Sequence, residues 1–577
     1  MIFHNSKKAN ILRPTSRTIE DQALAISRNR LVFLIGLFSL VFTIIIFKLF
    51  EVCLSNKEDI KIASRYDTPS NNAFLVNRAA IEDRNGSIIA VNLSTASLYA
   101  NPSKVIDKPH AIDELCKIFE GSKCSDVKVK INNGKNFSWL KRHLTPIEQQ
   151  HVNDLGIPGI NFVKDEKRVY PHVNLLSHII GFVDIDGRGL AGIERTFDER
   201  LNNNNEPLKL SVDVRIQQIL RDEILEQAIN HSAIGGSGVI MDVNTGEIIA
   251  MASLPDFDPN NLPASSERSR FNQVTLGTYE MGSTFKVLTL AMGLDGKHIN
   301  INDTFNTDEV IKIGNKQIKN YRGQGGIMAT PEVLIYSSNI GSAQIGMKVG
   351  TKKQKAYLAD LGMLSSVDIE LPEKGYPLYP SQKLWNNAST ITISYGHGIA
   401  VTPLHVARAI SAIVNGGRMV KPTLLRVNDE TKIESKRIIS ESTSLIMRKL
   451  LRMVVVSGYG KKADVEGYFV GGKTGTAEKL SGRVYSKNTN IASFVGAFPI
   501  NDPKYVIVVL IDEALPNKLN AGFTTGGMIA APLAGKIIER VAPLLGIQPR
   551  SHEDKDVADT LSLSYQPRNP LSFKKKP

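Results

Sequence analysis

A serine precedes a lysine by three positions in the stretch YEMGSTFKVLTLAMGL, which runs from Tyr279 to Leu294. On a helix that begins at Gly282–Ser283, residues three apart share a face, so the Lys286 ammonium can reach the Ser283 hydroxyl. A serine nucleophile needs a base, and a lysine in a dry pocket has a depressed pKa that suits this role. The helix N-terminus also offers N–H groups to a developing oxyanion. The ordinary alternative is an N-cap serine with a solvated lysine.

A second polar cluster lies in YSSNIGSAQIG, where Ser337 and Asn339 flank Ser338. A hydroxyl and an amide two positions apart point the same way on an extended chain, or they straddle a loop. The alternative is a helix cap before the apolar residues that follow. Taken alone, this segment favours the cap.

A third cluster, VGGKTGTAEKLSG, places Lys473, Thr474, Gly475 and Thr476 after two glycines. On a strand, the period of two puts Lys473 and Gly475 on one face and the two threonines on the other. A glycine inside a strand often marks the close approach of another backbone or of a ligand. A cation beside hydroxyls suits a carboxylate, whereas a surface hairpin is the alternative for this segment alone.

The three clusters together, in this order, form the motif set S-x-x-K, S-x-N and K-T-G of penicillin-recognising serine acyltransferases. About 54 residues separate Ser283 from Ser337, and about 134 separate Asn339 from Lys473. The chain resembles a class B penicillin-binding protein, and specifically a division-type (FtsI-like) peptidoglycan D,D-transpeptidase. This resemblance extends from the apolar N-terminal segment to about Pro549.

Further segments carry the same resemblance. NRAAIEDRNGSIIA and RVYPHVNLLSHIIGFVDIDGRGLAGIE lie before residue 200, and MDVNTGEIIAMASLPDFDPN and SYGHGIAVTPLHVARA lie after it. Ala79 stands where the family usually has glycine, and His397 and His405 stand where it usually has glutamine. We expect both histidines to pack or hydrogen-bond rather than to act in catalysis.

The resemblance implies a role for each motif residue. Ser283 would attack the penultimate D-Ala carbonyl of a stem peptide, and Lys286 would take its proton. Ser337 would protonate the leaving D-Ala, and Asn339 would hold the donor's amide backbone. A neighbouring stem amine would then resolve the acyl-enzyme, and β-lactams would trap it.

The strand motif is implied to bind substrate. Lys473, Thr474, Gly475 and Thr476 would hold the terminal carboxylate and orient the proton network, and the backbone N–H groups of Ser283 and Thr476 would form the oxyanion hole. The family implies no metal and no other cofactor. It implies peptidoglycan stem peptides and β-lactams as ligands, and a SEDS-type (FtsW-like) glycan polymerase and other divisome proteins as partners.

The elements that position these residues predict an α+β fold. Strand–turn–strand patterns such as GSGVIMDVNTGEIIAMASLP and the strand KYVIVVLID alternate with helical stretches, which indicates an antiparallel sheet covered by helices. Before them, SIIAV and ASLYA are predicted strands, and LTPIEQQHVNDLG is a predicted helix with Thr145 as N-cap. Asp213 is predicted to cap the helix that follows the linker LNNNNEP. The family resemblance makes this a serine β-lactamase-like domain on an elongated pedestal.

The resulting domain organisation has five parts. We predict a cytoplasmic basic tail at 1–30, a transmembrane anchor at 31–50, a non-catalytic pedestal at 51–205, a transpeptidase domain at 206–548 and a disordered tail at 549–577. The run LVFLIGLFSLVFTIIIF carries no charge, and roughly 20 helical residues span the hydrocarbon layer. The basic residues before it place the N-terminus in the cytoplasm and the remainder in the periplasm of a single-pass inner-membrane protein. A cleaved signal peptide is the alternative, without an A-x-A site to support it.

The net charge of +13 is compatible with a nucleic acid, an anionic membrane or an acidic polymer as partner. No nucleic-acid motif or aromatic-interleaved basic stripe is present, so we expect no nucleic-acid partner. Cys116 and Cys124 either pair in an oxidising compartment or remain two thiols. No Cys/His spacing indicates a metal site.

Other functions remain open at this point. An elongation-type class B enzyme would perform the same chemistry with different partners. A β-lactam sensor or a non-catalytic binding protein is a second alternative, and a sensor usually has more membrane segments than the single one predicted here. A β-lactamase would need neither anchor nor pedestal, and no dedicated water-activating residue is evident.

Overall fold

The computed structural model describes residues 16–54 and 78–568, apart from short internal gaps. These gaps are residues 120–121, 134–135, 265–266, 315, 321–324, 429, 482–483, 563–564 and 566. The predicted basic tail before residue 16, the start of the pedestal at 55–77 and the last nine residues lie outside the described part. Residues 1–75 and 76–577 form two separate units.

The first unit contains one long helix, α1 (Ser16–Leu54). Its segment Arg30–Lys48 is long and apolar enough to cross a membrane. The predicted anchor at 31–50 therefore falls within this helix. Its apolar side chains between Leu31 and Phe47 are exposed, as expected for a surface that would face lipid.

The pedestal is built on a five-stranded sheet in which β2 pairs with β1, β3 and β4, and β1 also pairs with β7. The strands of this sheet are β1 (Ile81–Glu82), β2 (Ile88–Ala100), β3 (Ser138–Leu144), β4 (Ile160–Val169) and β7 (Leu208–Lys209). The strands β5 (Phe182–Val183) and β6 (Gly189–Ala191) form a separate two-stranded sheet. The helices of the pedestal are α2 (Lys108–Ile118), α3 (Ser122–Asn132), α4 (Pro146–Asp154), α5 (Ser177–Ile180), α6 (Gly192–Thr196) and α7 (Asp198–Asn203). The two predicted strands SIIAV and ASLYA are one strand, because β2 stays paired with β4 through the polar residues between them.

Local sequence signals in the pedestal are confirmed. Thr145 caps α4, accepting a hydrogen bond from Glu148 N while the Glu148 carboxylate accepts one from Thr145 N. Cys116 and Cys124, whose pairing the sequence left open, form a disulfide between α2 and α3. The linker LNNNNEP is partly helical, because α7 continues to Asn203.

The two segments that carry the pedestal resemblance meet at a buried ion network. Arg78 Nε and Arg168 Nε each lie 2.7 Å from a different oxygen of Glu194. The Glu194 side chain is fully buried, so its charge needs both guanidinium groups. These charged residues therefore have a structural role: they join the start of the pedestal to β4 and α6.

The chain after β7 contains a second five-stranded sheet, which is antiparallel throughout, in the order β16-β17-β18-β8-β9. Its strands and those of three small hairpins are β8 (Gly235–Asp242), β9 (Ile248–Leu254), β10 (Thr304–Asn306), β11 (Lys312–Ile313), β12 (Lys316–Gln317), β13 (Ile327–Ala329), β14 (Arg418–Val420), β15 (Ser435–Arg437), β16 (Gly471–Ser481), β17 (Val484–Phe498) and β18 (Tyr505–Asp512). Its helices are α8 (Val214–Asn230), α9 (Phe285–Asp295), α10 (Thr330–Ile335), α11 (Asn339–Val349), α12 (Thr351–Asp360), α13 (Asn387–Ile393), α14 (Pro403–Val414), α15 (Glu441–Ser457), α16 (Ala530–Val541) and α17 (Lys555–Leu561).

Helices cover both faces of this sheet. Successive side chains on β18 alternate between two cores: Ile507 and Val509 pack with α8 and α16, whereas Val508 and Leu510 pack with α9 and α14. Asp213 caps α8 as predicted, accepting a hydrogen bond from Arg215 N. The α+β fold with an antiparallel sheet covered by helices is confirmed.

The prediction of a disordered tail after residue 549 is wrong over part of that range. Helix α17 packs against α15, and Val557 is buried in the main core. Arg550 forms ion pairs with Asp554 and Asp556 at the start of this helix. The composition of the tail is polar, but one buried valine on a short helix is enough to fix it against the domain.

Candidate active site

Ser283 lies in a 3₁₀ turn, Gly282–Thr284, that leads directly into α9. Lys286 lies in the first turn of α9 with its Nζ 3.0 Å from Ser283 Oγ. The side chain of Lys286 is fully buried, whereas Ser283 is partly exposed. The residues behind it, from Val287 to Gly293, are buried as the apolar sequence predicts, so the helix holds the pair in a fixed position.

Lys286 Nζ has four oxygen neighbours within hydrogen-bond distance. In addition to Ser283 Oγ, these are Ser337 O at 2.6 Å, Ser337 Oγ at 3.0 Å and Asn339 Oδ1 at 2.7 Å. The backbone carbonyl and the amide oxygen can only accept, whereas each serine hydroxyl can also donate. A neutral amine fits this set: it donates two N–H groups to the two carbonyl oxygens and keeps its lone pair for a hydroxyl proton. An ammonium could donate its three protons to three of these four oxygens, but it would have no lone pair to accept a hydroxyl proton.

Electrostatics favour the same neutral form. Burial lowers the pKa of Lys286 well below its ordinary value, and the nearby charge of Lys473 lowers it further. This lowered pKa makes the neutral amine of Lys286 available as a proton acceptor at a lower pH than that of a solvated lysine. The arrangement therefore provides a serine hydroxyl next to an amine base.

Ser337 has a backbone conformation that a serine rarely adopts, with φ of 57°. The left-handed region costs a residue with a Cβ about 1–2 kcal/mol. In this conformation both the carbonyl oxygen and the hydroxyl of Ser337 lie next to Lys286 Nζ. The next residue, Ser338, is the N-cap of α11 and hydrogen-bonds to Asn320 Oδ1, so the predicted helix cap is also present. The strained backbone of Ser337 is thus fixed on its C-terminal side by the hydrogen bonds of Ser338.

The K-T-G segment forms part of β16, at the edge of the main sheet. Among the hydrogen bonds of the described residues, Lys473 donates only to Thr474, with Nζ 2.9 Å from the Thr474 carbonyl oxygen. Lys473 is fully buried, and burial lowers its pKa to about 7. It therefore lies close enough to affect Lys286 electrostatically without belonging to the hydrogen-bond cluster around that residue.

Two glycines lie where the serine turn meets β16, and two more glycines pack against their backbones. Gly282 has φ of 53°, and a Cβ there would lie 2.7 Å from Thr476 O. A Cβ on Gly475 would lie 2.8 Å from Met281 O, which confirms that this strand glycine marks a close backbone approach. Side chains on Gly396 and Gly526 would collide with the backbones of Gly282 and Gly475 respectively. We call these four residues the glycine contact.

The structure thus brings Ser283, Lys286, Ser337 and Asn339 into one hydrogen-bonded cluster. The strand residues lie beside the serine turn, with Thr474 mostly buried and the Thr476 hydroxyl accepting from Gly526 N at 3.0 Å. Within the described residues, no group of three or more His, Cys, Asp or Glu side chains is placed to hold a metal ion.

The sequence did not identify several supporting residues. Asn320 accepts hydrogen bonds from Ser338 Oγ and Ile340 N, and it lies in no recognisable motif. Glu280, three positions before the serine, accepts hydrogen bonds from Gly398 N and lies 3.0 Å from His397 Nδ1. Its place in the block YEMGSTFK is the one signal that could have indicated it.

Both histidines that depart from the family pattern have hydrogen-bond partners, as predicted. His397 interacts with Glu280, and His405 Nε2 lies 2.8 Å from Ser365 O. Burial lowers the pKa of His405 to about 4, so it is neutral at physiological pH. His405 also lies 2.7 Å from Thr402 Oγ1 at the start of α14, which makes it part of a helix cap.

Comparison with known proteins gives a consistent result. Residues 236–539 match the penicillin binding protein transpeptidase domain, and residues 74–230 match the penicillin-binding protein dimerisation domain. The chain is 36% identical over 505 residues to the "Probable peptidoglycan D,D-transpeptidase FtsI" of Caulobacter vibrioides, covering 85% of this chain and 84% of that protein. It is 30% identical over 573 residues to "Stage V sporulation protein D" of Bacillus subtilis, covering 91% and 87%.

The solved structures agree on the fold. Penicillin binding protein 3 of Mycobacterium tuberculosis, complexed with aztreonam, superposes with a TM-score of 0.65 at 21% identity and covers 82% of this chain and 97% of its own. The motif cluster, the two matching domains and the long, high-coverage alignments all point the same way. The chain therefore belongs to the class B penicillin-binding proteins and is a peptidoglycan D,D-transpeptidase.

Proposed function

We propose that this transpeptidase cross-links stem peptides at the division septum through an acyl-enzyme on Ser283. The observation that carries the chemical part is the position of Lys286 Nζ, 3.0 Å from the hydroxyls of both Ser283 and Ser337. One buried amine can then exchange protons with the nucleophile and with a second hydroxyl.

In the acylation step, Ser283 Oγ attacks the carbonyl carbon of the penultimate D-Ala while its proton passes to Lys286 Nζ. The C–N bond to the terminal D-Ala breaks, and the departing amine nitrogen takes a proton from the Ser337 hydroxyl. Lys286 then returns its proton to Ser337 Oγ. The products are a Ser283 ester, free D-Ala and a neutral lysine.

Deacylation runs the same transfers in reverse with an amine from a neighbouring stem peptide. That amine attacks the Ser283 ester carbonyl and gives up a proton through the Ser337–Lys286 pair, and Ser283 recovers its own. A β-lactam follows only the first half, because its leaving amine stays tethered to the acyl group. It therefore remains as an adduct on Ser283.

Substrate binding is assigned to the residues around this pair. Asn339 Nδ2 donates one N–H to Lys319 O, which fixes the orientation of the amide and leaves its second N–H to align a peptide backbone at the edge of the site. Lys473, Thr474 and Thr476 supply the cation and hydroxyls for the terminal carboxylate, with Gly475 between them allowing the close contact. The backbone N–H groups of Ser283 and Thr476 supply the oxyanion hole.

The cellular setting is part of the proposal. Helix α1 acts as a single-pass inner-membrane anchor, with the N-terminus in the cytoplasm and the catalytic domain in the periplasm. The six basic residues before Leu31 support this orientation, and a Cys116–Cys124 disulfide suits an oxidising compartment. The septal role, with a SEDS-type glycan polymerase and other divisome proteins as partners, rests on likeness to FtsI.

Mass spectrometry after incubation with a fluorescent penicillin tests the chemistry. We expect a single stable adduct on the peptide that contains Ser283, and none in Ser283→Ala. Labelling that persists in Ser283→Ala would reject the nucleophile, and rapid release of hydrolysed penicillin would indicate a β-lactamase.

Depletion in the native host tests the septal role. Filamentous cells with blocked septa are expected. Round cells would instead indicate an elongation enzyme with the same chemistry.

A further inference from the structure

The last described residues of the chain return to the catalytic domain near the active site. Arg568 Nε lies 2.9 Å from Glu332 Oε1, and Arg568 Nη2 lies 2.5 Å from Glu332 Oε2. The Arg568 backbone N–H also points to Glu332 Oε1, at 3.2 Å. Three donors of one tail residue thus converge on one carboxylate that is 236 positions away in sequence.

Glu332 is a fully buried carboxylate on helix α10. Burial would raise its pKa, but hydrogen bonds from Arg568 and from Ala329 N keep that pKa below the ordinary value. Among the described residues, Arg568 is the one cation within ion-pair distance of Glu332. A buried charge without its partner is costly, so the position of α10 depends on the tail.

Helix α10 leads directly into the catalytic loop. The helix ends at Ile335, Tyr336 follows, and Ser337 takes the left-handed conformation described above. The Tyr336 hydroxyl donates to the Arg568 carbonyl oxygen, and Arg568 Nη2 donates to Ile327 O on β13. The tail therefore contacts the helix at Glu332, the strand before it and the residue immediately before Ser337.

We propose that the described residues of the C-terminal tail act as a strap on the catalytic domain. Arg568 in this strap positions Ser337 and Asn339 for acylation, because it fixes α10 and Tyr336. Arg568 is a positioning residue: it acts through Glu332 and Tyr336 and touches neither substrate nor reacting atoms. The inference rests on the proposed catalytic role of Ser337 and Asn339. Helix α17, packed on α15 with Val557 buried, anchors the start of the strap.

The strap offers a matched control. Arg550 is also a tail arginine paired with carboxylates, but its partners Asp554 and Asp556 lie within the tail itself. Arg550→Ala therefore removes the same charge from the same segment and leaves the contact with Glu332 intact. Arg568→Lys keeps a cation but loses the bidentate geometry, so it should restore part of any lost function.

The experiment measures acylation of the full-length, detergent-solubilised protein by a fluorescent penicillin, separating the saturating acylation rate from the dissociation constant. We expect Arg568→Ala to lower the saturating rate about tenfold, because a small misplacement of catalytic groups has effects of this size or larger. The dissociation constant should stay close to that of the wild type. The unfolding temperature should fall, because Glu332 keeps a buried charge without its cation, so acylation is measured at temperatures at which every variant is folded. Arg568→Lys should be intermediate, and Arg550→Ala should match the wild type.

Three results would overturn the strap. Wild-type acylation in Arg568→Ala would show that the contact does not position the loop. An equal loss in Arg550→Ala would show that the effect comes from the charge of the tail alone. A loss of rate in Arg568→Ala that disappears at temperatures well below its unfolding transition would make Arg568 a stability residue. Failure of the proposed chemistry is distinguishable, because the wild type itself would then form no adduct on Ser283.

Discussion

Replacing Lys286 with methionine tests whether the buried amine is the base. Methionine fills much of the same buried space and has no lone pair to accept the Ser283 proton. A positioned general base contributes roughly 10²–10⁴-fold to rate. At about 1.4 kcal/mol per tenfold, this corresponds to about 3–5 kcal/mol of the acylation barrier. We therefore expect the saturating acylation rate to fall by two to four orders of magnitude.

The structure also predicts what happens to stability. Methionine leaves Ser337 O and Asn339 Oδ1 without the donor they have now. Both contacts are only partly buried, so the cost of each lost hydrogen bond lies below the roughly 1–3 kcal/mol of a fully buried unpaired group. Burial disfavours the charged form of Lys286, so removing this amine offsets part of the lost free energy of folding. The unfolding temperature should thus shift modestly, and the protein should remain folded under the acylation assay.

Stopped-flow acylation across a pH series gives the decisive comparison. In the wild type the saturating rate should rise with pH as Lys286 loses its proton, with a midpoint well below the ordinary lysine pKa of 10.5. In Lys286→Met that rise should disappear. Lys473→Met is the control for charge: it should weaken penicillin binding while retaining a pH-dependent rate. A saturating rate near that of the wild type in Lys286→Met would refute the base assignment.

Three further predictions follow from other contacts. Burial lowers the pKa of Lys473 to about 7, and the proposed carboxylate site requires its protonated form. Penicillin affinity measured by competition should therefore fall as pH rises through about 7, and Lys473→Met should lose this dependence. Ser337→Gly and Ser337→Ala should both acylate slowly. The glycine variant should be more stable than the alanine variant by up to about 1 kcal/mol, and so unfold at a higher temperature, because glycine relieves the strain at φ of 57°. Equal unfolding temperatures would contradict that strain. The double variant Cys116→Ser/Cys124→Ser should destabilise the pedestal by about 2–3 kcal/mol in denaturant unfolding, and reduction of the wild type should match it.

The chemistry-bearing residues could be predicted from sequence because their motifs are local and ordered. The S-x-x-K spacing brings Ser283 and Lys286 to one face wherever a helix begins there, and the apolar residues after Lys286 predict such a helix. The capping residues Thr145 and Asp213 were predictable for the same reason, since a cap depends on three or four consecutive residues.

Long-range contacts could not be predicted in this way. The left-handed conformation of Ser337 depends on α10, α11 and Lys286 together, and nothing in YSSNIG encodes it locally. The tail was expected to be disordered because its composition is polar. Its order instead comes from Val557 on the main core and Arg568 on Glu332, partners that no local pattern reveals.

The glycine contact limits how this enzyme can escape inhibitors by mutation. A side chain at Gly282 or Gly475 would separate the serine turn from β16, and one at Gly396 or Gly526 would collide with the backbone of Gly282 or Gly475. The normal substrate would then lose a correctly placed nucleophile along with the drug. Selection under a β-lactam should therefore leave these four positions unchanged and collect substitutions among partly exposed residues around the site. Growth of a saturation-mutagenesis library on penicillin would show this as an absence of survivors at the four glycines, and resistant survivors there would contradict it.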